Sequence, residues 1–312
     1  MKIRKAVSAL TLAFYPILSV TGAAPASAQE PQPPQIAEAD GSGAYPATFV
    51  GLPSLPNHVV YMPRDLSVVK KNALPVYVYG NGGCSADGLS SRNHLLEIAS
   101  HGYIAIAPGV IPGPNREIPV PRQLESGLLS ADTPSSALGE AIDWILEQNS
   151  REDSPLAGLV ATDKIAVSGW SCGGLQALIN AGDARVTTTI IMFSGIFNNE
   201  VSPIAGMEAN KSLLDELHGP TLYVLGGPED GAQPNGLDDF GRIEGLPAAL
   251  VDIPVGHGGT FHEVDGGVGS EVVVKWLDWV LKNDAEAAAY YRGDDCGFCE
   301  DDRFKLLRKN ID

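Results

Sequence analysis

Ser171 has the neighbours that a serine nucleophile requires. The segment Gly169-Trp-Ser-Cys-Gly173 fits the pattern G-x-S-x-G. It follows a short apolar run at 165–167 and precedes apolar residues at helical spacing in 175–179. Between a strand and a helix this pattern makes a tight turn, in which glycines flank the serine and the hydroxyl stands clear of the sheet. Ser171 is therefore our candidate nucleophile, and the alternative is an ordinary glycine-rich turn.

Two histidines qualify as the base that would activate Ser171. A serine hydroxyl is a poor nucleophile at neutral pH and needs a neighbouring base, usually a histidine that a carboxylate orients. With this kind of turn, the acid and then the histidine follow the serine along the chain. Of the six histidines, only His257 and His262 lie late enough. We expect His257, because it directly follows a predicted strand and is flanked by glycines; the alternative for it is a surface loop histidine.

The acid is expected at the end of the preceding strand. Glu229 and Asp230 both follow the predicted strand at 221–225. We favour Asp230, because its shorter side chain suits a loop held close to the histidine, and Glu229 is the alternative. Asp238 and Asp239 come later and are predicted to begin a helix as capping residues. For any one carboxylate in so acidic a chain, the competing interpretation is a solvated surface group.

Glycines also mark the segment that should supply hydrogen-bond donors to a developing oxyanion. One donor is the backbone N–H after the nucleophile, that of Cys172. The second is expected in Gly80-Asn-Gly-Gly83, which follows the predicted strand at 74–79. The N–H of Asn81 and that of Gly82 both fit this role, and the sequence does not separate them. The alternative is again an ordinary glycine turn.

Apolar periodicity places these residues in an α/β protein. Strands are predicted at 58–62, 74–79, 103–108, 165–167, 186–193, 221–225 and 248–255, the first of them at an edge. Helices are predicted at 95–100, 137–145, 172–179 and 270–281, and a Pro-rich connection without periodicity at 109–133. Strands alternating with helices indicate a mostly parallel sheet with helices on both faces. Ligand sites in such sheets lie beyond the carboxyl ends of the strands, where all the candidate residues fall.

The candidate residues also resemble those of a known superfamily. Ser171, Asp230 and His257, in this order after successive strands, resemble the α/β-hydrolase superfamily over roughly residues 45–282. Three segments are similar to a secreted branch related to dienelactone hydrolases, cutinases and polyester hydrolases: Val78-Tyr-Gly-Asn-Gly-Gly-Cys84, Ala99-Ser-His-Gly-Tyr103 and Gly169-Trp-Ser-Cys-Gly-Gly174. The resemblance implies an α/β-hydrolase fold and a serine esterase that needs no cofactor.

The chain departs from typical lipases, from bacterial cutinases and from dienelactone hydrolases at one place each. It lacks the H-G-G-G of typical lipases before Cys84, and it has Asn81 where bacterial cutinases usually have an aromatic residue. Ser171 stands where a dienelactone hydrolase would have a nucleophilic cysteine, and Cys172 follows it. The departures leave the acyl and alcohol preferences of the expected esterase undefined.

The start of the chain has the pattern of an exported protein. Residues 1–28 combine a basic start, an apolar stretch and Ala26-Ser-Ala28, which predicts a signal peptide that is removed after export to the periplasm or the medium. Residues 29–44 are rich in Pro, Gln, Glu and Ala, which predicts a disordered lead-in. Residues 45–312 are predicted to form a single domain with a CxxC tail. Outside the first stretch, no run approaches the roughly 20 apolar residues of a membrane span.

The charge of the chain excludes some partners. It has 38 Asp and Glu against 21 Lys and Arg, a formal net charge of −17. Nucleic acids and anionic membranes are bound by basic patches, so neither is expected as a partner. The sequence has no P-loop and no G-x-G-x-x-G after a strand, so no nucleotide cofactor is expected. The expected partner is a small-molecule or polymeric ester, and no oligomeric state is predicted.

The four cysteines are expected to form two disulfides after export. If the two oxyanion donors face one oxyanion, the segments of Cys84 and Cys172 must approach each other, so we predict that they pair. Cys296 and Cys299 are then left to pair locally. The alternative for the first pair is two buried free thiols. Too little chain follows Cys299 for a thioredoxin-like fold, and one CxxC supplies only two of the four ligands of a zinc site.

Three functions remain open from the sequence. The first is the hydrolysis of carboxylic esters through an acyl-enzyme. The second is a serine peptidase or amidase that uses the same three residues. The third is a binding protein that keeps the fold without catalysis, which an intact set of Ser171, Asp230 and His257 disfavours.

Overall fold

The computed structural model describes residues 40–113, 122–199 and 201–312. The predicted signal peptide and residues 29–39 of the predicted lead-in lie outside the described residues. The strands are β1 (Ala47–Leu52), β2 (Leu55–Pro63), β3 (Leu74–Gly80), β4 (Ile104–Pro108), β5 (Val160–Trp170), β6 (Thr188–Met192), β7 (Thr221–Leu225), β8 (Ala248–Asp252) and β9 (Lys305–Lys309). The α-helices are α1 (Arg92–Ser100), α2 (Ala137–Ser150), α3 (Cys172–Asn180), α4 (Gln233–Arg242), α5 (Gly267–Lys282), α6 (Ala285–Ala288) and α7 (Gly297–Glu300).

The strands of the described residues form one sheet in the order β1-β2-β4-β3-β5-β6-β7-β8-β9. The six strands from β4 to β8 in this order are parallel, whereas β2 and β9 run antiparallel to their neighbours. The predicted mostly parallel α/β sheet is therefore confirmed. Its central strands are buried along their whole length, since both faces are covered.

Helices cover both faces of the sheet. Successive side chains of a strand point to opposite faces, and in β3 Val76 and Val78 join one apolar core while Tyr77 and Tyr79 join the other. The first core is completed by residues of α2, α3 and α4, and the second by residues of α1 and α5. This packing leaves the carboxyl ends of the parallel strands open at one edge, which is where the candidate residues lie. Among the described residues, no helix is long and apolar enough to cross a membrane.

The sequence patterns predicted neither of the two outer strands, β1 and β9. Two expectations are therefore wrong. The segment at 58–62 is not an edge strand, because β1 pairs with β2 on its outer side. The predicted strand at 248–255 is not the last one either, because β9 pairs antiparallel to β8, with Leu307 opposite Leu250. Neither outer strand is buried along its length, so neither shows the long apolar run by which the central strands are recognised.

Residues 40–44, the end of the predicted lead-in, contact α1. The backbone N–H and the hydroxyl of Ser42 donate to the carboxylate of Glu97 at 2.7 and 2.6 Å. The N–H of Gly43 donates to Oγ of Ser100 at 3.0 Å. Ser42 and Gly43, which precede the predicted boundary at 45, are thus held against α1.

Candidate active site

Ser171 lies at the turn between β5 and α3, in a backbone conformation that residues other than glycine rarely adopt. Its φ of 55° and ψ of −117° lie outside the regions favoured by residues with a side chain. The conformation is held by a hydrogen bond from the N–H of Ser171 to the carbonyl of Met192, at 3.0 Å. Strain of this kind persists only where the surrounding structure enforces it, and it is concentrated at functional sites.

The flanking glycines are required by close backbone contacts. A β-carbon at Gly169 would overlap the carbonyl of Gly173, and one at Gly173 would overlap the carbonyl of Gly80. The turn at Ser171 is thus pressed against the end of β3 with no room for side chains between them. This contact brings the candidate nucleophile beside the segment that was predicted to carry an oxyanion donor.

A chain of hydrogen bonds joins Ser171, His257 and Asp230. The Oγ of Ser171 lies 2.9 Å from Nε2 of His257, and Nδ1 of the same ring lies 2.7 Å from Oδ1 of Asp230. An ionised carboxylate can only accept, so Nδ1 carries the ring proton and Nε2 accepts from the serine hydroxyl. In this arrangement Nε2 is free to take the hydroxyl proton as Oγ attacks a substrate.

Asp230 is buried behind the histidine and kept ionised by its neighbours. Its side chain is 0% exposed, and it also accepts hydrogen bonds from the backbone N–H groups of Ala232 at 2.9 Å and Gly226 at 3.2 Å. Burial opposes ionisation, but the hydrogen bonds from His257 and from these backbone groups outweigh it and hold the pKa of Asp230 below its ordinary value. Glu229, the alternative acid, is exposed.

His257 is held at its backbone as well as at its ring. The N–H of Gly256 donates to the carbonyl of Gly226 at 2.8 Å, and Nε1 of Trp170 donates to the carbonyl of His257 at 2.8 Å. The side chain of His257 remains 44% exposed, so a substrate can reach it. His262, the alternative base, is exposed, and its carbonyl accepts from Nδ2 of Asn93.

The predicted oxyanion segment lies against the first turn of α3. Cys84 and Cys172 are at disulfide distance, with their Cα atoms 5.2 Å apart, as are Cys296 and Cys299 at 5.0 Å. The predicted pairing is thus confirmed at the level of distance. Gly82 and Cys172 are each the first residue of a helix, where the N–H has no partner inside the helix.

The side chain of Asn81 has a structural role that is separate from the expected role of its backbone N–H. Its side chain is fully buried, and Nδ2 donates to the carbonyls of Ser85, Asp87 and Pro108 at 3.0, 3.1 and 2.7 Å. The amide therefore holds the shape of the loop after β3 and ties it to the end of β4. Any contact of Asn81 with an oxyanion is left to its backbone N–H.

An apolar cleft of about 360 Å³ opens beside Ser171 and His257. Its walls come from α3, from the loop after β6 and from two loop segments that pair at Leu129 and Ile204. The large apolar side chains that line it are those of Leu129, Leu175, Phe193, Phe197, Pro203 and Ile204. Among the described residues, no Asp, Glu, Lys or Arg lines the cleft. The cleft therefore suits an uncharged, apolar group of a substrate.

The loop after β6 carries two residues of the candidate site that no sequence pattern predicted. Ser194 is buried, and its hydroxyl donates to the carbonyl of Ser171 at 2.6 Å. This bond helps to hold the strained turn in place. Phe193 has a positive φ of 46° and lies beside Ser171 in the cleft lining. The rule that ligand sites lie beyond the carboxyl ends of parallel strands could have found both, because they directly follow β6.

Asp238 and Asp239 lie inside α4, so their predicted role as helix caps is wrong. Asp239 is buried and pairs with the buried Lys211 at 2.6 Å, while Asp238 binds the same ammonium at 2.8 Å. Burial raises the pKa of Asp239, whereas hydrogen bonds from Arg242 and Lys211 hold the pKa of Asp238 at about 2. Asp239 also accepts from the N–H of Ile196 at 2.7 Å, so the buried ion pair fixes the loop that carries Phe197 into the cleft.

Comparison with known proteins gives the site no further assignment. No protein-family model matches the chain, and a search of curated proteins found no match either. Within the described ranges, no group of three or more His, Cys, Asp and Glu side chains is arranged to hold a metal ion. The chemistry of the site therefore has to be argued from its own geometry.

Proposed function

We propose that this protein is an exported serine hydrolase of the α/β-hydrolase fold that cleaves carboxylic esters through an acyl-enzyme. The observation that carries the proposal is the hydrogen-bonded chain from Ser171 through His257 to Asp230, at 2.9 and 2.7 Å. It is supported by the strained backbone of Ser171 and by the order of the three residues along the chain.

The reaction would proceed in two steps of acyl transfer. In the first, Nε2 of His257 takes the proton of Ser171 while Oγ attacks the ester carbonyl, and the N–H groups of Cys172 and of Gly82 or Asn81 stabilise the oxyanion. The alcohol leaves with a proton from His257. In the second, His257 takes a proton from water, the hydroxide attacks the acyl-enzyme, and the acid is released as Ser171 is protonated again. Asp230 stabilises the imidazolium in both steps.

The lining of the cleft favours esters with an uncharged, apolar portion. A charged substrate group in this cleft would lose its hydration without gaining an ion partner, which is costly. A neutral aliphatic or aromatic group gains free energy from burial against Leu175, Phe197 and Ile204. Among the described residues, no charged side chain in the lining could pair with a charged amino-acid side chain, so the cleft suits neutral acyl or alcohol groups.

A panel of p-nitrophenyl esters of increasing acyl length, run beside peptide anilides, tests this proposal. We expect ester hydrolysis, little or no anilide cleavage, and a loss of several orders of magnitude in kcat in Ser171→Ala. Ser150→Ala, which changes an exposed serine on α2, is the matched control. Mass mapping after treatment with a fluorophosphonate should place the label on Ser171.

Three results would contradict the proposal. Retention of near wild-type ester hydrolysis in Ser171→Ala would remove Ser171 from the mechanism. Faster cleavage of anilides than of esters would make the protein a peptidase or amidase. Absence of both activities, together with absence of fluorophosphonate labelling, would leave a binding protein.

A further inference from the structure

Trp170 contacts the three parts of the candidate site at once. It is the last residue of β5 and directly precedes Ser171. Its Nε1 donates to the carbonyl of His257 at 2.8 Å. Its ring lies so close to Gly82 that a β-carbon there would overlap the ring carbons. One side chain thus joins the turn of the nucleophile, the loop of the base and the segment of the second oxyanion donor.

The ring of Trp170 is itself supported by the core. Its centroid lies 4.9 Å from that of Phe261, with the two planes 34° apart. Phe261 is buried and contacts Phe193 edge-on at 5.5 Å and His94 edge-on at 5.5 Å. The indole is therefore fixed against a closely packed aromatic cluster, whose members have little freedom to shift.

The loop of His257 depends on such a support, because it is rich in glycine and largely at the surface. Gly256 and Gly259 have positive φ values of 74° and 60°, and residues 254, 255, 257 and 258 are not buried. Apart from the triad contacts, the backbone of His257 is held by the neighbouring bond from Gly256 to Gly226 and by the indole N–H. Loss of the indole bond would remove one of the few contacts that hold this loop, and with it the imidazole, beside Ser171.

We propose that Trp170 is a positioning residue, which holds the base and the second oxyanion donor in register with the nucleophile. Its N–H fixes the backbone of His257, and its ring sets the place of the turn at Gly82. The proposal rests on the proposed hydrolase function for its kinetic consequence, but the loop support itself can be measured without a substrate. It does not require the indole to touch the substrate.

The test compares Trp170→Phe with the matched variant Trp144→Phe. Trp144 on α2 also donates an indole hydrogen bond, to Oγ of Ser54 at 3.2 Å, and it lies in the core on the side of α2 and α3. Both variants lose one indole N–H and keep an aromatic ring. Because a neutral hydrogen bond contributes modestly, we expect Trp170→Phe to lower kcat about five- to tenfold with KM within twofold. Trp144→Phe should change neither parameter by more than twofold.

Hydrogen exchange measured by mass spectrometry gives a readout that is independent of activity. We expect faster exchange in peptides covering 255–261 and 80–84 in Trp170→Phe, and no change there in Trp144→Phe. Unchanged exchange in both segments would overturn the proposal, whether or not the wild type hydrolyses esters. A rise in KM at constant kcat would also overturn it, because the indole would then contact substrate. If the wild type does not hydrolyse esters but Trp170→Phe still exchanges faster in these segments, the hydrolase function is refuted. The proposal that Trp170 supports the loop is then retained.

Discussion

Cys84 and Cys172 join the two segments that carry the candidate oxyanion donors. Their Cα atoms are 5.2 Å apart, although 88 positions separate them along the chain. Cys84 ends the short turn that begins at Gly82, and Cys172 is the first residue of α3 after the candidate nucleophile. A covalent link at this point would hold both N–H groups at a fixed separation.

Removing this link should therefore reduce both stability and activity. We expect the double variant Cys84→Ala/Cys172→Ala to lose about 2–5 kcal/mol in the free energy of unfolding, because the bridge closes a long loop of the unfolded chain. We also expect kcat to fall more than KM changes, because the donors act in the transition state. Cys296→Ala/Cys299→Ala is the control, since these cysteines are only 3 positions apart and neither lines the cleft beside Ser171. Full activity of the first double variant at a temperature where it is folded would refute the link to catalysis.

Replacement of Asp230 by Asn should lower kcat at least about a hundredfold. The amide keeps the shape of the side chain but presents no charge, so the imidazolium that forms during the reaction loses its partner. Glu229→Gln, one position earlier and exposed, should have a small effect. The two variants are to be compared in the same ester assay. The reverse ranking of their kcat values would move the acid to Glu229.

Phe197→Ala should shift the preference of the cleft toward longer acyl groups. Phe197 lines the cleft, so truncation of its ring opens space that extra methylene groups can fill, at about 0.8 kcal/mol for each one buried. The measurement is the ratio of kcat/KM for a long and a short p-nitrophenyl ester, which we expect to rise at least about tenfold. Leu237→Ala, at an exposed position on α4, is the control. An unchanged ratio would show that the substrate chain lies elsewhere.

His94 should make the fold less stable as the pH falls below about 6.5. Its ring is buried, with Tyr77 at one nitrogen and Ser270 at the other, and burial lowers the pKa of His94 to about 3. The unfolded chain binds the proton near pH 6.5, whereas the folded chain does so only near pH 3. The stabilisation is therefore fully present above pH 6.5 and is lost toward pH 3, at up to about 1.4 kcal/mol per pH unit.

Urea unfolding at a series of pH values measures this effect. Because burial also lowers the pKa of His58, the comparison has to be made between variants rather than on the wild type alone. We expect His94→Gln to flatten the fall in stability between pH 6.5 and 4, and His218→Gln, at an exposed position, to leave it unchanged. Equal slopes in the wild type and in His94→Gln would contradict the assignment.

The sequence by itself determined the central architecture and named the candidate members of the site. The buried strands are recognisable as apolar runs, because helices cover both faces of the sheet. The glycines around Ser171 are recognisable because the tight turn leaves no room for side chains beside the serine. Since parallel strands end at one edge, the candidates Ser171, Asp230 and His257 could be expected to meet there. The structure brings these three together and leaves Glu229 and His262 exposed.

Only the tertiary structure decided the contacts that hold the site in place. The bonds from Trp170 to His257 and from Ser194 to Ser171 span 87 and 23 positions, and the ion pair of Lys211 and Asp239 spans 28. No local pattern encodes such contacts, because each depends on which loops the sheet brings together. The outer strands β1 and β9 could not be predicted from the sequence for a related reason. An exposed edge strand is specified by pairing with its neighbour, not by burial of its own side chains.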